Sequence, residues 1–202
     1  MIVVDVETTG LRPEKNSIVS IGAIDFSNPQ NQFYQECRIW EGAEISDQAL
    51  KVNGFTKEEI TNPDKPSLEE TVFKFIEWTK NIEDQTLAGH NVWFDALFLR
   101  DALNRAKVKG YSLEERFGSR NVDLHSECYA HHLKKGINPP KKNERTDLNL
   151  DKVLLYVGLL EEPNPHNALT GAKMEAEAFS RFFFGKALFE EFEKYSIPNY
   201  LK

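Results

Sequence analysis

Asp5 and Glu7 stand one residue apart in Asp5-Val6-Glu7-Thr8-Thr9-Gly10-Leu11, directly after the apolar run Ile2-Val3-Val4. Side chains of a strand alternate between faces, so a strand through this run points both carboxylates the same way. Adjacent buried carboxylates repel, and burial is costly unless a cation or a shared proton compensates. A divalent metal is the simplest compensation. Hard oxygen pairs suit Mg²⁺ or Mn²⁺, which keep waters and engage substrate phosphates. An exposed strand end leading into a polar turn would carry the same residues without a metal, so the rest of the chain must decide.

Two further residues have matching chemistry. Asp95 closes Gly89-His90-Asn91-Val92-Trp93-Phe94-Asp95, where an expected strand gives way to a helix. A helix N-terminus favours an anion, and open α/β sheets place ligands at the carboxyl ends of their strands. The plainer reading is a helix cap or a surface acid. His166, in Pro165-His166-Asn167-Ala168-Leu169, is either an ordinary loop residue or a general base, the role suited to a side chain with an unperturbed pKa of about 6.5.

These residues need a scaffold. Periodicity and turn residues predict strands over Ile2 to Glu7, Ser17 to Phe26 and Gln32 to Trp40, the last two joined by a hairpin turn at residues 27–31. Capping boxes are expected at Thr56-Lys57-Glu58-Glu59 and at Ser67-Leu68-Glu69-Glu70, the second opening a helix to about Asn81. Thr86 to His90 reads as a short buried strand, Phe94 to Lys107 as a helix and Asn121 to Ser126 as a fifth strand. Residues 134–147, with five basic and two acidic side chains, read as a loop that is either solvated or tracks phosphates. Leu148 to Val157 and Ala168 to Leu188 read as helices. An antiparallel trio followed by alternating strands and helices implies an α/β fold with a mixed five-stranded sheet flanked by helices.

The 202 residues are long enough for a substantial core, and a single domain over 1–202 is expected. A content of 40% hydrophobic and 28% charged residues is that of a globular protein without a membrane span. The N-terminal stretch lacks the features of a secretion signal, so a cytoplasmic location is expected. Cys37 and Cys128 lack metal-ligand spacing and read as reduced core residues. A net charge of -7 argues against extensive non-specific binding to duplex nucleic acid, yet leaves room for a site that grips a strand end through metal ions.

Taken together and in order, Asp5-Val6-Glu7-Thr8-Thr9-Gly10, Asn91-Val92-Trp93-Phe94-Asp95 and His166-Asn167-Ala168 closely resemble the three motifs of the DnaQ-like, or DEDDh, 3′-to-5′ exonucleases. The resemblance spans nearly the whole chain and implies the ribonuclease H-like fold. It also implies two Mg²⁺ or Mn²⁺ ions and hydrolysis of the terminal phosphodiester of single-stranded 3′ ends. By this resemblance Asp5 bridges both metals, Glu7 shares one and touches the terminal nucleotide, and Asp95 serves the second through water. His166 deprotonates the attacking water, and activity rises with pH as the imidazole becomes neutral. Thr8, Thr9 and Leu11 would lie beside the terminal base. DNA and RNA are not distinguished, and a polymerase partner or a homodimer is equally compatible.

The sequence departs from the family pattern at Gly171, where an Asp is expected five residues after His166. In the family that Asp is a metal ligand, and locally a glycine costs about 1 kcal/mol against Ala in a helix interior. Three accounts compete. An acquired or engineered Asp→Gly change would cripple the enzyme, and it is preferred. Glu175, one turn further along the same helical face, is either a partial substitute or an ordinary solvated helix acid. Least favoured is a catalytically silent module that binds nucleic-acid ends or proteins.

Overall fold

The computed structural model describes residues 1–107 and 112–202. Its strands are β1 (Ile2–Thr8), β2 (Ile18–Asp25), β3 (Gln32–Glu36), β4 (Leu87–Gly89), β5 (Val122–Asp123), β6 (Lys141–Lys142) and β7 (Arg145–Thr146). The α-helices are α1 (Asp47–Asn53), α2 (Lys57–Thr61), α3 (Leu68–Thr79), α4 (Trp93–Ala106), α5 (Leu113–Phe117), α6 (Leu124–Lys134), α7 (Leu150–Tyr156) and α8 (Ala168–Phe184). The main sheet has the order β3-β2-β1-β4-β5, with β1 antiparallel to β2 and parallel to β4. The expected mixed five-stranded sheet is therefore present, as are both capping boxes, at Thr56 and Ser67.

The central strands are buried on both faces because helices cover each side. On β1, Ile2, Val4 and Val6 join the core formed with α3 and α4, including Phe75 and Phe98. Val3 faces the opposite core, formed with α6, α7 and α8 and including Leu154 and Phe179. Strand alternation then puts Asp5 and Glu7 on the α8 side. Gly22, paired with Asp5 across the β1–β2 ladder, lets α8 approach: a Cβ there would stand 2.2 Å from the backbone of Ala168. The first turn of α8 thus rests on the sheet directly beside Asp5.

Several elements differ from expectation, among them α8, which stops at Phe184 rather than Leu188 because Gly185 caps it in the left-handed conformation. β3 stops at Glu36 rather than Trp40, because the backbone amides of Arg38 and Ile39 turn away to the carbonyls of Pro66 and Ile60. The fifth strand is two residues long, since Asp123 caps α6 by accepting from the Ser126 amide, a helix that the sequence pattern did not reveal. Residues 134–147 are not a plain loop. They carry the β6–β7 hairpin, whose turn residues Asn143 and Glu144 both have positive φ, at 49° and 63°. A glutamate in that conformation is uncommon and gives no turn signal. Among the described residues no helix is long and apolar enough to cross a membrane.

The C-terminal segment is anchored on α8 by a fully buried pair, Arg181 Nε to Glu177 Oε1 at 2.7 Å. The guanidinium also donates to the carbonyls of Val157, Phe192 and Tyr195, while Glu177 Oε2 accepts from the amides of Leu188 and Phe189. Removing one partner strands a buried charge. Glu177→Ala is therefore expected to cost about 3–5 kcal/mol, read as a lowered denaturant midpoint.

Candidate active site

At the carboxyl end of β1, a cleft of about 660 Å³ is lined by Asp5, Glu7, Thr8, Leu11, Glu162 and His166, with Phe94 and Asn53 on its walls. Three layers of the fold meet there. β1 brings Asp5 and Glu7, α4 brings Asp95, and the loop before α8 brings Glu162 and His166.

Asp95 reaches the sheet because β4 is short. Paired positions on β1 and β4 run only through Ile2/Leu87 and Val3/Ala88, and the Val6 amide beyond them donates to Asp95 Oδ1 at 3.0 Å. The side chain is 5% exposed. It is thus neither a surface acid nor the cap of its own helix. The loop before α8 is held at both ends: the His166 amide donates to the Val52 carbonyl at 3.0 Å, and Asn167 caps α8 by accepting from the amides of Leu169 and Thr170. Nδ1 of His166 lies 3.3 Å from Glu162 Oε2, which leaves Nε2 as the nitrogen free to take a proton.

The candidate substrate residues separate. Thr8 lines the cleft with its hydroxyl donating to the Gly10 carbonyl, and Leu11 stands at the rim, 82% exposed. Thr9 does not match the expected position beside a terminal base. It is fully buried, its hydroxyl donating to the Glu44 carbonyl and accepting from the Ser17 amide, so it braces the turn instead.

Glu175 is not a solvated acid. It is 3% exposed, with Oε1 accepting from the His90 amide at 3.1 Å and Oε2 without a partner. Glu162 went unnoticed in the sequence because Glu161-Glu162-Pro163 reads as a helix separator; its only signal is a position four residues before His166. It too is buried, with Oε1 unpartnered.

Five carboxylates are therefore gathered with no Lys or Arg ion pair to Asp5, Glu7, Asp95 or Glu175 among the described residues. Burial, then repulsion from Glu175, Asp95, Glu7 and Glu162, raises the pKa of Asp5 well above the carboxylate range. Burial pushes Glu7 up to about 7 and Asp95 up to about 8, although the Val6 amide pulls Asp95 down. Burial followed by the charges of Glu7 and Asp151 carries Glu162 up to about 7, and burial followed by Asp95 raises Glu175. Orphaned buried oxygens, hard donors and unbalanced negative charge together fit a divalent cation.

This arrangement has a signed consequence. The acids hold protons more tightly folded than unfolded, so their contribution to stability is present at pH below about 4 and is lost as pH rises through about 7 to 8. Metal-free protein is expected to show a falling thermal midpoint from pH 5 to pH 8. Added Mn²⁺ should raise the midpoint more at pH 8 than at pH 5, and calorimetric scans in both buffers would check it.

A family model described as Exonuclease matches residues 2–179. The PolC-type DNA polymerase III of Thermotoga maritima is 31% identical over 181 residues, covering 90% of this chain and 12% of that protein. Ribonuclease T of Histophilus somni is 28% identical over 123 residues, covering 54% of this chain and 55% of its own length. The chain thus spans about an eighth of the PolC-type relative and about half of the ribonuclease. Among solved structures, E. coli exonuclease I in complex with a dT13 oligonucleotide superposes with a TM-score of 0.70 at 18% identity, over 89% of this chain and 40% of that one. The sheet order and this superposition make the fold ribonuclease H-like.

Proposed function

Since the chain belongs to the DnaQ-like exonuclease family, we propose that it is a metal-dependent 3′-to-5′ exonuclease that removes nucleotides from single-stranded ends, with residues 1–202 acting as one catalytic unit. The observation that carries this reading is the convergence of Asp5, Glu7 and His166 on one cleft, with Asp95 locked against β1 behind them.

Asp5, Glu7 and, from behind, Asp95 would hold two Mg²⁺ or Mn²⁺ ions. Bound there, the ions would supply Lewis acidity toward the scissile phosphate and make water more acidic. The protein's own groups do the rest. His166, oriented through Nδ1 by Glu162, takes the proton of the attacking water at Nε2. The negative wall of carboxylates repels a phosphate backbone in the absence of cations, so strand binding is coupled to metal loading. Thr8 and Leu11 line the cleft and would touch the terminal nucleotide, Leu11 offering an apolar surface to a base. E. coli exonuclease I, one structural neighbour, has been solved in complexes with a dT13 oligonucleotide and with ssDNA, and the PolC-type relatives are DNA polymerases III. Both support a single-stranded end as substrate and a polymerase as a candidate partner.

The test is a 5′-labelled single-stranded oligonucleotide, DNA and RNA in parallel, incubated with Mn²⁺. A ladder shortening from the 3′ end is expected on at least one of the two. Intact label with both, or release of the labelled 5′ nucleotide first, would refute the assignment.

A further inference from the structure

We propose, building on the metal-dependent reading above, that Glu162 supplies the carboxylate which the family pattern would place at position 171, so that the loop before α8 closes the cation site. The space that a side chain at 171 would use is already filled. A Cβ there would stand 2.3 Å from Asp5 Oδ2 and 3.3 Å from Glu162 Oε1. A side chain at 171 would therefore make the Asp5 carboxylate turn from its present position, and Gly171 leaves it where it is.

Glu162 meets what a ligand in that seat needs. Its side chain is more than nine-tenths buried yet lines the cleft, and Oε1 has no hydrogen-bond partner. Oε2 faces Nδ1 of His166, so the two oxygens have separate tasks, one orienting the imidazole and the other free for a cation. One ligand atom from each of Glu7, Glu162 and His166 lies within 4.8 Å of the others. The loop is fixed before any metal arrives, through the Glu162 amide to Asp151 Oδ1 at 3.2 Å and the His166 amide to Val52.

Glu175 is the weaker candidate. One of its oxygens accepts from the His90 amide at the end of β4, its orphaned oxygen lies 3.3 Å from where a Cβ of Gly89 would be, and it does not line the cleft. Its charge acts on Asp5 only by repulsion.

The experiment is isothermal titration of the full chain with Mn²⁺ alone, without nucleic acid, comparing the unaltered protein with Glu162→Gln, Gly171→Asp, His166→Ala and Asp5→Asn, each checked for folding by circular dichroism. Glu162→Gln is close in size and shape to the original. It is expected to weaken Mn²⁺ binding about tenfold or more, since even outer partners of a metal site are worth that much. Gly171→Asp should not tighten binding, and His166→Ala, which removes only the partner of Glu162 Oε2, should weaken it clearly less than Glu162→Gln does. Unchanged affinity in Glu162→Gln beside a loss in Asp5→Asn would overturn the Glu162 assignment alone. So would a loss in His166→Ala equal to that in Glu162→Gln, or a tenfold gain in Gly171→Asp. Unchanged affinity in Asp5→Asn would sink the metal reading itself, and this assignment with it.

Discussion

Asp5→Asn is expected to lower the rate of 3′-end hydrolysis by about 1,000-fold or more, with little loss of folding stability. Asp5 is the side chain on which the site converges: after its own burial it feels the charges of Glu175, Asp95, Glu7 and Glu162, in that order, and it lies against the bare face of Gly171. The amide has nearly the same shape but no charge, so it keeps the packing and loses the cation. Cation stabilisation of a phosphoryl transition state is worth several kcal/mol, and about 1.4 kcal/mol is a factor of ten. Stability should hold or rise, because the substitution removes a carboxyl group that is repelled by four neighbours. Initial rates on a 5′-labelled strand, together with a thermal melt without metal, separate the two effects. Loss of activity accompanied by loss of fold would show that Asp5 is structural.

The second large effect is at His166. His166→Ala is expected to reduce the rate by about 10²- to 10⁴-fold, the range for a general base. Its Mn²⁺ affinity should fall less than that of Glu162→Gln. That combination distinguishes a base from a ligand. Glu162→Gln should behave differently, losing metal affinity as well as rate, because Oε2 faces His166 while Oε1 is left free for a cation. A His166→Ala rate within about tenfold of the unaltered protein would remove the imidazole from the proton transfer.

Much of this was legible in the residues. The alternation of Ile2-Val3-Val4-Asp5-Val6-Glu7 sets both the strand and the common face of its carboxylates, and the capping boxes at Thr56 and Ser67 are local signals that tertiary packing had no reason to override. What escaped depends on contacts distant in sequence. Glu162 and Glu175 look like ordinary loop and helix acids until Gly22 lets α8 settle on β2, which buries both beside Asp5. Thr9 looks like a neighbour of Thr8, but the turn that Asn16 and Glu44 close behind it directs its hydroxyl inward. The strand expected through Ser126 yields to a helix because Asp123 caps it.

Gly171 changes meaning for the same reason. In the sequence it is a missing ligand, most simply a damaging change. In the fold it is the gap into which the carboxylates of Asp5 and Glu162 project. The preferred sequence reading, a crippled enzyme, predicts that Gly171→Asp gains activity. With Glu162 in the ligand's place no gain is expected, because an added carboxyl group would press on the Asp5 carboxylate and crowd a site already rich in negative charge.

The central claim is that this carboxylate cradle holds divalent cations where a strand end is cut. Its most direct test is anomalous scattering from crystals grown with Mn²⁺ and a nucleoside 5′-monophosphate. Two Mn²⁺ peaks are expected about 3.5 to 4 Å apart, both within ligand distance of Asp5, with the nucleotide phosphate beside them. Anomalous peaks confined to other surfaces, with the Asp5, Glu7 and Glu162 oxygens bound to none, would contradict it.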